Sequence, residues 1–286
     1  MKLALLSPQL SAPLAHATFE KTGLSLAPAV KHREGLYSAA LLTEKEANRE
    51  TLASACHQAG CDWALLPEDI RTDNFKLLAM DMDSTLISIE CIDEIADFVG
   101  KKKEVSAITE AAMRGEITDF SDSLRRRVAL LAGVEASNLE AVFNERLRLN
   151  PGAESLLAFA KHHGWKTLLV SGGFTYFTDR LKAQLNLDYS RSNTLEIVDG
   201  KLTGRVLGSI VDAQLKAETV AKVTEEMGIG AQQAIVMGDG ANDLKMMAIA
   251  GISVAYRAKP VVQAQARFAI NFNGLEALPA WFEVGA

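Results

Sequence analysis

Five short, largely apolar runs set the tightest limit on what this chain can fold into: residues 77–80, 167–170, 234–237, 252–255 and 268–270. Each is bounded by turn residues and reads as a strand covered on both faces, as in a parallel sheet. Stretches with helical periodicity lie between some of them, including 153–163 and 213–227. This alternation predicts an α/β fold with a doubly wound, Rossmann-like parallel sheet. Residues 195–206 carry Asp199-Gly200 between two alternating segments, a hairpin signal. Residues 92–149 contain no convincing strand and read as helices inserted after the first strand, a candidate lid.

Residues 1–72 follow another pattern. An apolar run at 3–6 precedes helical character over 14–21. Two further segments, 24–30 and 36–42, are joined through the polar KHREG; a helix is expected over 44–58 and a last strand at 63–66. The order β-α-β-β-α-β is the split pattern of a ferredoxin-like sandwich. RTDN, residues 71–74, reads as the linker. The first residues are expected to form a strand rather than a signal peptide, because Ser7, Pro8, Gln9 and Ser11 interrupt an apolar core. No apolar run approaches the roughly 20 residues of a membrane span.

Composition narrows the function classes. With 30 Lys+Arg against 36 Asp+Glu, the formal net charge of −6 argues against a surface that neutralises nucleic-acid phosphates. A small anionic substrate remains compatible, since a few local cations in a pocket are enough. No pair among Cys56, Cys61 and Cys91 has CxxC spacing, so neither a disulfide framework nor a zinc ribbon is expected. A reducing, cytoplasmic setting follows as the expectation.

Three strand ends carry chemistry. The first is AMDMDSTL, where Asp81 and Asp83 flank Met82 and Thr85 follows. In a straight strand, residues i and i+2 share a face. Two ionised carboxylates there repel unless a cation lies between them or one keeps a proton. The pattern suggests a divalent-ion site, an acid/base pair, or both; the plainer reading is Asp in an ordinary turn. The second is LLVSGGF, where Ser171 ends a strand and Gly172-Gly173 turn the chain into a helix. That arrangement offers a hydroxyl and free N–H groups to a phosphate. It lacks the GxSxG elbow of serine hydrolases. The third is VMGDGANDL, with Asp239 and Asp243 in a Gly-rich loop whose carboxylates suit a hard cation. It is not a dinucleotide fingerprint, since Asp243 stands where a third glycine is needed. Lys216, alone on a helix, reads as a solvated charge. Ligands of open α/β sheets bind beyond the carboxyl ends of the strands, and all three motifs fall there.

Read together, the chain resembles the phosphoserine phosphatases of the haloacid dehalogenase superfamily. DxDxT is residues 81–85. ECIDEIA (90–96), MRGE (113–116), SLRRRV (123–128), SGGF (171–174), VDAQLKA (211–217) and GDGANDLKM (238–246) follow in the family's order. The resemblance implies a Mg²⁺-dependent hydrolase that releases L-serine from O-phospho-L-serine, the last step of serine synthesis. Asp81 would be the nucleophile that becomes an aspartyl phosphate, and Asp83 the acid and base. Mg²⁺ would be held by Asp81, the Asp83 backbone carbonyl and Asp239, with Asp243 in support. Ser171, Gly172 and Lys216 would hold the phosphate oxygens, with Asn242 nearby. Glu90 would meet the substrate ammonium and Arg127 its carboxylate, while Met113 and Phe120 would wall the lid. Met113 and Phe120 are seven apart, one more than the common pattern. The implied architecture is an ACT-like α+β unit over 1–72, a catalytic core over 73–89 and 152–286, and a helical cap over 90–151. Neither nucleic acid nor membrane is an expected partner, and a homodimer is one assembly that the first unit would support. A related phosphatase or phosphotransferase acting on another small phosphorylated amine or amino acid is the alternative.

Overall fold

The computed structural model describes residues 1–42, 48–67, 70–113 and 119–285. The chain opens with β1 (Lys2–Leu6), α1 (Ala12–Lys21), β2 (Val30–Arg33), β3 (Leu36–Ala40), α2 (Arg49–Gln58) and β4 (Asp62–Leu66). β1 pairs antiparallel with both β3 and β4, and β2 pairs with β3, so the local order is β2-β3-β1-β4. The expected β-α-β-β-α-β succession is present.

Its second strand differs from expectation. It spans Val30–Arg33 rather than 24–30, because the chain reverses only at Glu34-Gly35, where Gly35 has φ +74°. A side chain there would strike the Ser7 carbonyl, so Gly35 meets both a backbone and a space requirement. Most of KHREG is therefore strand. α2 starts late because Asn48 caps it, accepting from the N–H groups of Glu50 and Thr51. The expected helical residues 44–47 lie outside the described residues.

The second part begins with β5 (Leu77–Met80). The helices α3 (Cys91–Phe98), α4 (Lys102–Met113), α5 (Phe120–Ala129) and α6 (Ser137–Ala141) follow it. Then come α7 (Ala153–His162), β6 (Lys166–Phe174), α8 (Thr175–Leu185), β7 (Tyr189–Val198), β8 (Lys201–Leu207) and α9 (Ala213–Glu226). β9 (Ala234–Gly238), α10 (Leu244–Ile249), β10 (Ile252–Tyr256), α11 (Pro260–Gln265), β11 (Phe268–Ile270) and α12 (Ala277–Gly285) complete it. Strands β11-β10-β9-β5-β6-β7 run parallel, as the apolar runs predict. Leu78 and Met80 point into one buried layer and Leu77 and Ala79 into the other. That alternation is the period of two that a strand imposes. β7 and β8 form the expected hairpin, with Asp199 and Gly200 both at positive φ.

The first unit is not isolated. β4 meets β11 through Trp63 and Ala269, so a single sheet of eleven strands runs across the described residues. One of its faces has its own core around Leu3, Leu5, Phe19, Leu52 and Cys56. Ala4, Leu6, Leu36, Ala64 and Leu66 join the large core of the catalytic part instead. RTDN is not a slack tether: Thr72–Asn74 form a short 3-10 turn, and Trp165 Nε1 donates to the Thr72 carbonyl at 3.1 Å.

The described part of the inserted segment is mostly helical, as expected, with Glu135 bridged to Lys201 of the hairpin. It leaves and rejoins the core along two adjacent segments, with Ile87 bridged to Leu149. The turn after α5 pairs with the β7–β8 hairpin through Gly133 N to Leu202 O and Leu202 N to Val134 O, both 2.8 Å.

Candidate active site

The candidate catalytic residues converge where the parallel strands end. β5 stops at Met80, so Asp81 and Asp83 do not sit on a straight strand. The chain turns tightly over Met82–Leu86, with Ser84 at φ 57°. A non-glycine residue rarely adopts this conformation and holds it only under surrounding constraint. The turn separates the two acids. Asp81 accepts from Met82 N at 2.7 Å and from Lys216 Nζ at 2.9 Å. Asp83 accepts from the N–H of Cys91, at the start of α3, at 3.0 Å. The expectation of two carboxylates packed on one face is thus corrected.

Lys216 is not a solvated charge. It is completely buried and bridges Asp81 to Asp243, whose Oδ1 lies 2.7 Å away. Burial opposes its charge, but Asp243 and Asp81 outweigh that and hold the ammonium above its ordinary range. Asp212 caps α9 by accepting from Leu215 N, which fixes the first turn of the helix carrying Lys216.

Asp81, Asp239 and Asp243 offer oxygens that all lie within 4.8 Å of one another. Thr85 Oγ1 donates to Asp239 Oδ1 at 3.1 Å. Burial, followed by the charge of Asp243, pushes Asp239 up to about 7. The same two causes hold Asp81 well above the carboxylate range, with Lys216 opposing them. Three carboxylates facing one ammonium leave a deficit of positive charge, and every donor is a hard oxygen. This set fits a hard divalent cation. The Asp83 side chain is not part of this cluster.

The loop expected to hold phosphate also differs from the sequence reading. Ser171 does not end β6, because pairing resumes at Phe174 with Asn193 after an irregular stretch. α8 starts only at Thr175, so Ser171, Gly172 and Gly173 form a bulge in a strand rather than a helix start. Ser171 Oγ accepts from Gly173 N at 2.8 Å. A methyl group at Gly173 would lie 2.6 Å from Asp83 Oδ2 and 3.0 Å from Ser171 Oγ, which puts this loop directly against Asp83. A methyl group at Gly172 would lie 2.9 Å from Phe120 Cζ, so the cap rests on the loop through Phe120. Met113 ends α4, and its side chain lies outside the described residues. Asn242 folds over Gly240 and shows no hydrogen bond toward the loop.

Glu90 and Arg127 mark the cap side. Ser84 Oγ donates to Glu90 Oε1 at 2.6 Å. Surrounding protein raises the Glu90 carboxyl above its usual range, against that hydrogen bond. Arg125 and Arg126 are exposed, whereas Arg127 is half-buried and feels the charges of Glu90, Asp93 and Asp83. Asp83 is pushed up to about 7, first by burial and then by Glu90.

One contributor was not foreseen. The buried Asn193 donates to the Gly172 carbonyl and accepts from Val211 N, both at 2.8 Å, tying the Ser171–Gly173 loop to the segment before α9. An Asn in an alternating strand gives no local sign of this.

Comparison with known proteins agrees with this geometry. Residues 78–248 match the haloacid dehalogenase-like hydrolase family, a region that holds every residue of the site. The chain belongs to the haloacid dehalogenase-like hydrolases. This hydrolase is 57% identical over 214 residues to the phosphoserine phosphatase of Polaromonas sp. strain JS666, covering 73% of this chain and 91% of that protein. It matches the unliganded structure of a probable phosphoserine phosphatase from Vibrio cholerae with a TM-score of 0.83 and 38% identity, over 99% of this chain and 87% of that one. A substrate-bound phosphoserine phosphatase complex matches with a TM-score of 0.68 and 37% identity, over 72% of this chain and 98% of that one.

Proposed function

We infer that this hydrolase is a phosphoserine phosphatase that cleaves O-phospho-L-serine to L-serine and phosphate through an aspartyl phosphate. The observation that carries it is the division of labour after β5: Asp81 is held by Lys216 beside Asp239 and Asp243, while Asp83 is turned toward the cap.

In the first step an Asp81 carboxylate oxygen forms a bond to phosphorus as the bond from phosphorus to the serine oxygen breaks. The Asp83 proton passes to that oxygen, a role suited to an acid held near 7. Asp83, now a carboxylate, takes a proton from water as the water oxygen bonds to phosphorus. The Asp81 carboxylate then leaves and phosphate is released. Lys216, Ser171 and the N–H groups of the loop hold the phosphoryl oxygens as charge spreads over them. Glu90 receives the substrate ammonium and Arg127 its carboxylate, a bidentate partner for a guanidinium. Phe120 closes over Gly172 and restricts water. Mg²⁺ is the proposed cation, held by Asp81, Asp239, Asp243 and the Asp83 carbonyl; when bound it would offset repulsion between Asp81 and the anionic phosphate.

Residues 1–72 are proposed as an ACT-like unit, 73–89 with 152–286 as the catalytic core, and 90–151 as the cap. The split βαβ strand order supports the first of these, with amino-acid binding or homodimer formation as its role. Light scattering with and without L-serine tests that role. Among the described residues no helix is long and apolar enough to cross a membrane. Three free, buried cysteines suit a reducing compartment, and we place the protein in the cytoplasm.

Phosphate release from O-phospho-L-serine, measured after chelation and again after adding Mg²⁺, tests the central reading. Turnover that requires the metal is expected, and its absence would remove the assignment. Phosphoethanolamine, which lacks the carboxylate, should be a much poorer substrate if Arg127 has the stated role.

A further inference from the structure

Asn150 sits on the segment by which the cap rejoins the core, and it is buried. Its Nδ2 lies 2.8 Å from the Thr85 carbonyl, 3.0 Å from that of Ile87 and 3.4 Å from that of Ser84. A carboxamide has two N–H donors, so Thr85 and Ile87 take the strong bonds and Ser84 the marginal one. All three carbonyls lie in or just after the tight turn that follows Asp81.

The two segments at the base of the cap do not need this side chain to stay together. Asn150 N donates to the Leu86 carbonyl at 2.9 Å, Ser88 N donates to that of Arg148 at 2.9 Å, and Ile87 bridges Leu149. What the carboxamide adds is a grip inside the turn. That turn presents Thr85 Oγ1 to Asp239 and Ser84 Oγ to Glu90, and it carries Asp83. It also contains Ser84 at φ 57°, a conformation the surroundings must impose.

We propose that Asn150 is a positioning residue for catalysis: its carboxamide locks the turn after Asp81 so that Asp83, Thr85 and Ser84 face the metal acids and the substrate at once. It touches neither substrate nor reacting atoms and acts through the turn. The inference rests on the phosphatase reading above and adds a residue from the far end of the cap insertion. A misplacement of about 1 Å at a reacting group can cost on the order of 100-fold in rate, which sets the scale of the effect.

The test uses the full-length enzyme with Mg²⁺ and O-phospho-L-serine. Circular dichroism gives the folded fraction, and kcat is expressed per folded molecule. Asn150→Ala removes both donors and is expected to lower kcat on the order of 100-fold, with KM within about threefold. Asn150→Ser returns one small donor and should fall between Asn150→Ala and the parent. A purely structural role would lower the melting temperature and the folded fraction while leaving kcat per folded molecule alone. A kcat within about threefold of the parent, or a loss carried by KM alone, overturns the proposal. Should Asn150→Ala fail to fold, Asn150→Ser decides by the same two criteria. Absence of turnover by the parent would instead sink the phosphatase reading, so the two failures are distinguishable.

Discussion

Lys216 Nζ stands 2.7 Å from Asp243 Oδ1, and neither side chain has any contact with solvent. An isolated charge so deeply buried would be prohibitive, so each partner depends on the other. Removing one member of a buried pair typically costs about 3–5 kcal/mol, because the other is left uncompensated. Lys216→Met should therefore lower the melting temperature sharply and abolish phosphoserine turnover. Added Mg²⁺ should raise the melting temperature more in this variant than in the parent, since the carboxylates have then lost their only bridging cation among the described residues. Melts with and without Mg²⁺ check this; an unchanged melting temperature would contradict the buried-pair account.

Gly173 is expected to be intolerant of even one added carbon. Its φ is not positive, so the backbone permits alanine, and the conflict is purely one of space. The added methyl would meet Asp83 Oδ2 at 2.6 Å and Met82 Cε at 2.7 Å. Gly173→Ala should displace Asp83 and reduce kcat by about 10²-fold, with the far-ultraviolet dichroism preserved. Full activity would mean that Asp83 can move without consequence.

Acid stability should carry a signature of Asp188, which accepts from Lys166 Nζ at 2.6 Å, Thr167 N at 2.9 Å and Thr167 Oγ1 at 3.1 Å. Burial works against its charge, yet these donors prevail and hold the carboxyl below its ordinary value. A carboxyl lowered on folding stabilises the protein above its unfolded value of about 3.9, and this contribution fades as pH falls through the folded one. Asp188→Asn should melt lower than the parent near neutrality, and the gap should narrow below about pH 4. A gap that stays constant into acid would contradict the assignment.

The seam between the amino-terminal unit and the core should depend on Asp62. Its carboxylate accepts from the N–H groups of Asn271, Phe272 and Asn273 at 2.6, 3.1 and 2.9 Å, and from Asn273 Nδ2 at 2.7 Å. Asp62→Ala leaves these donors without a partner, at roughly 3 kcal/mol or more. That corresponds to a fall of roughly 10 °C in melting temperature. A shift within about 2 °C would show that the seam is held by the shared core alone.

Local patterns made much of this molecule legible. The apolar runs marked five of the six parallel strands, all but β7, because burial on both faces leaves little room for polar residues. Asp199-Gly200 marked a hairpin because few other pairs adopt two successive positive φ angles. The acids at 81, 83, 239 and 243 stood out because each follows a strand end.

What stayed hidden was of a different physical kind. Asn193 and Asn150 act across 21 and 65 residues of chain to reach Gly172 and Thr85, and the bond from Lys216 to Asp243 spans 27. No local spacing encodes a bond of that reach, and a lysine on a helix or an asparagine on a strand looks like any exposed polar residue. Strand and helix periods are set by neighbours along the chain, so the chain order of elements and the acids after the strand ends could be read locally. Which of those acids cluster, which one turns toward the cap and which side chains hold them there depends on long-range packing, which no local pattern encodes.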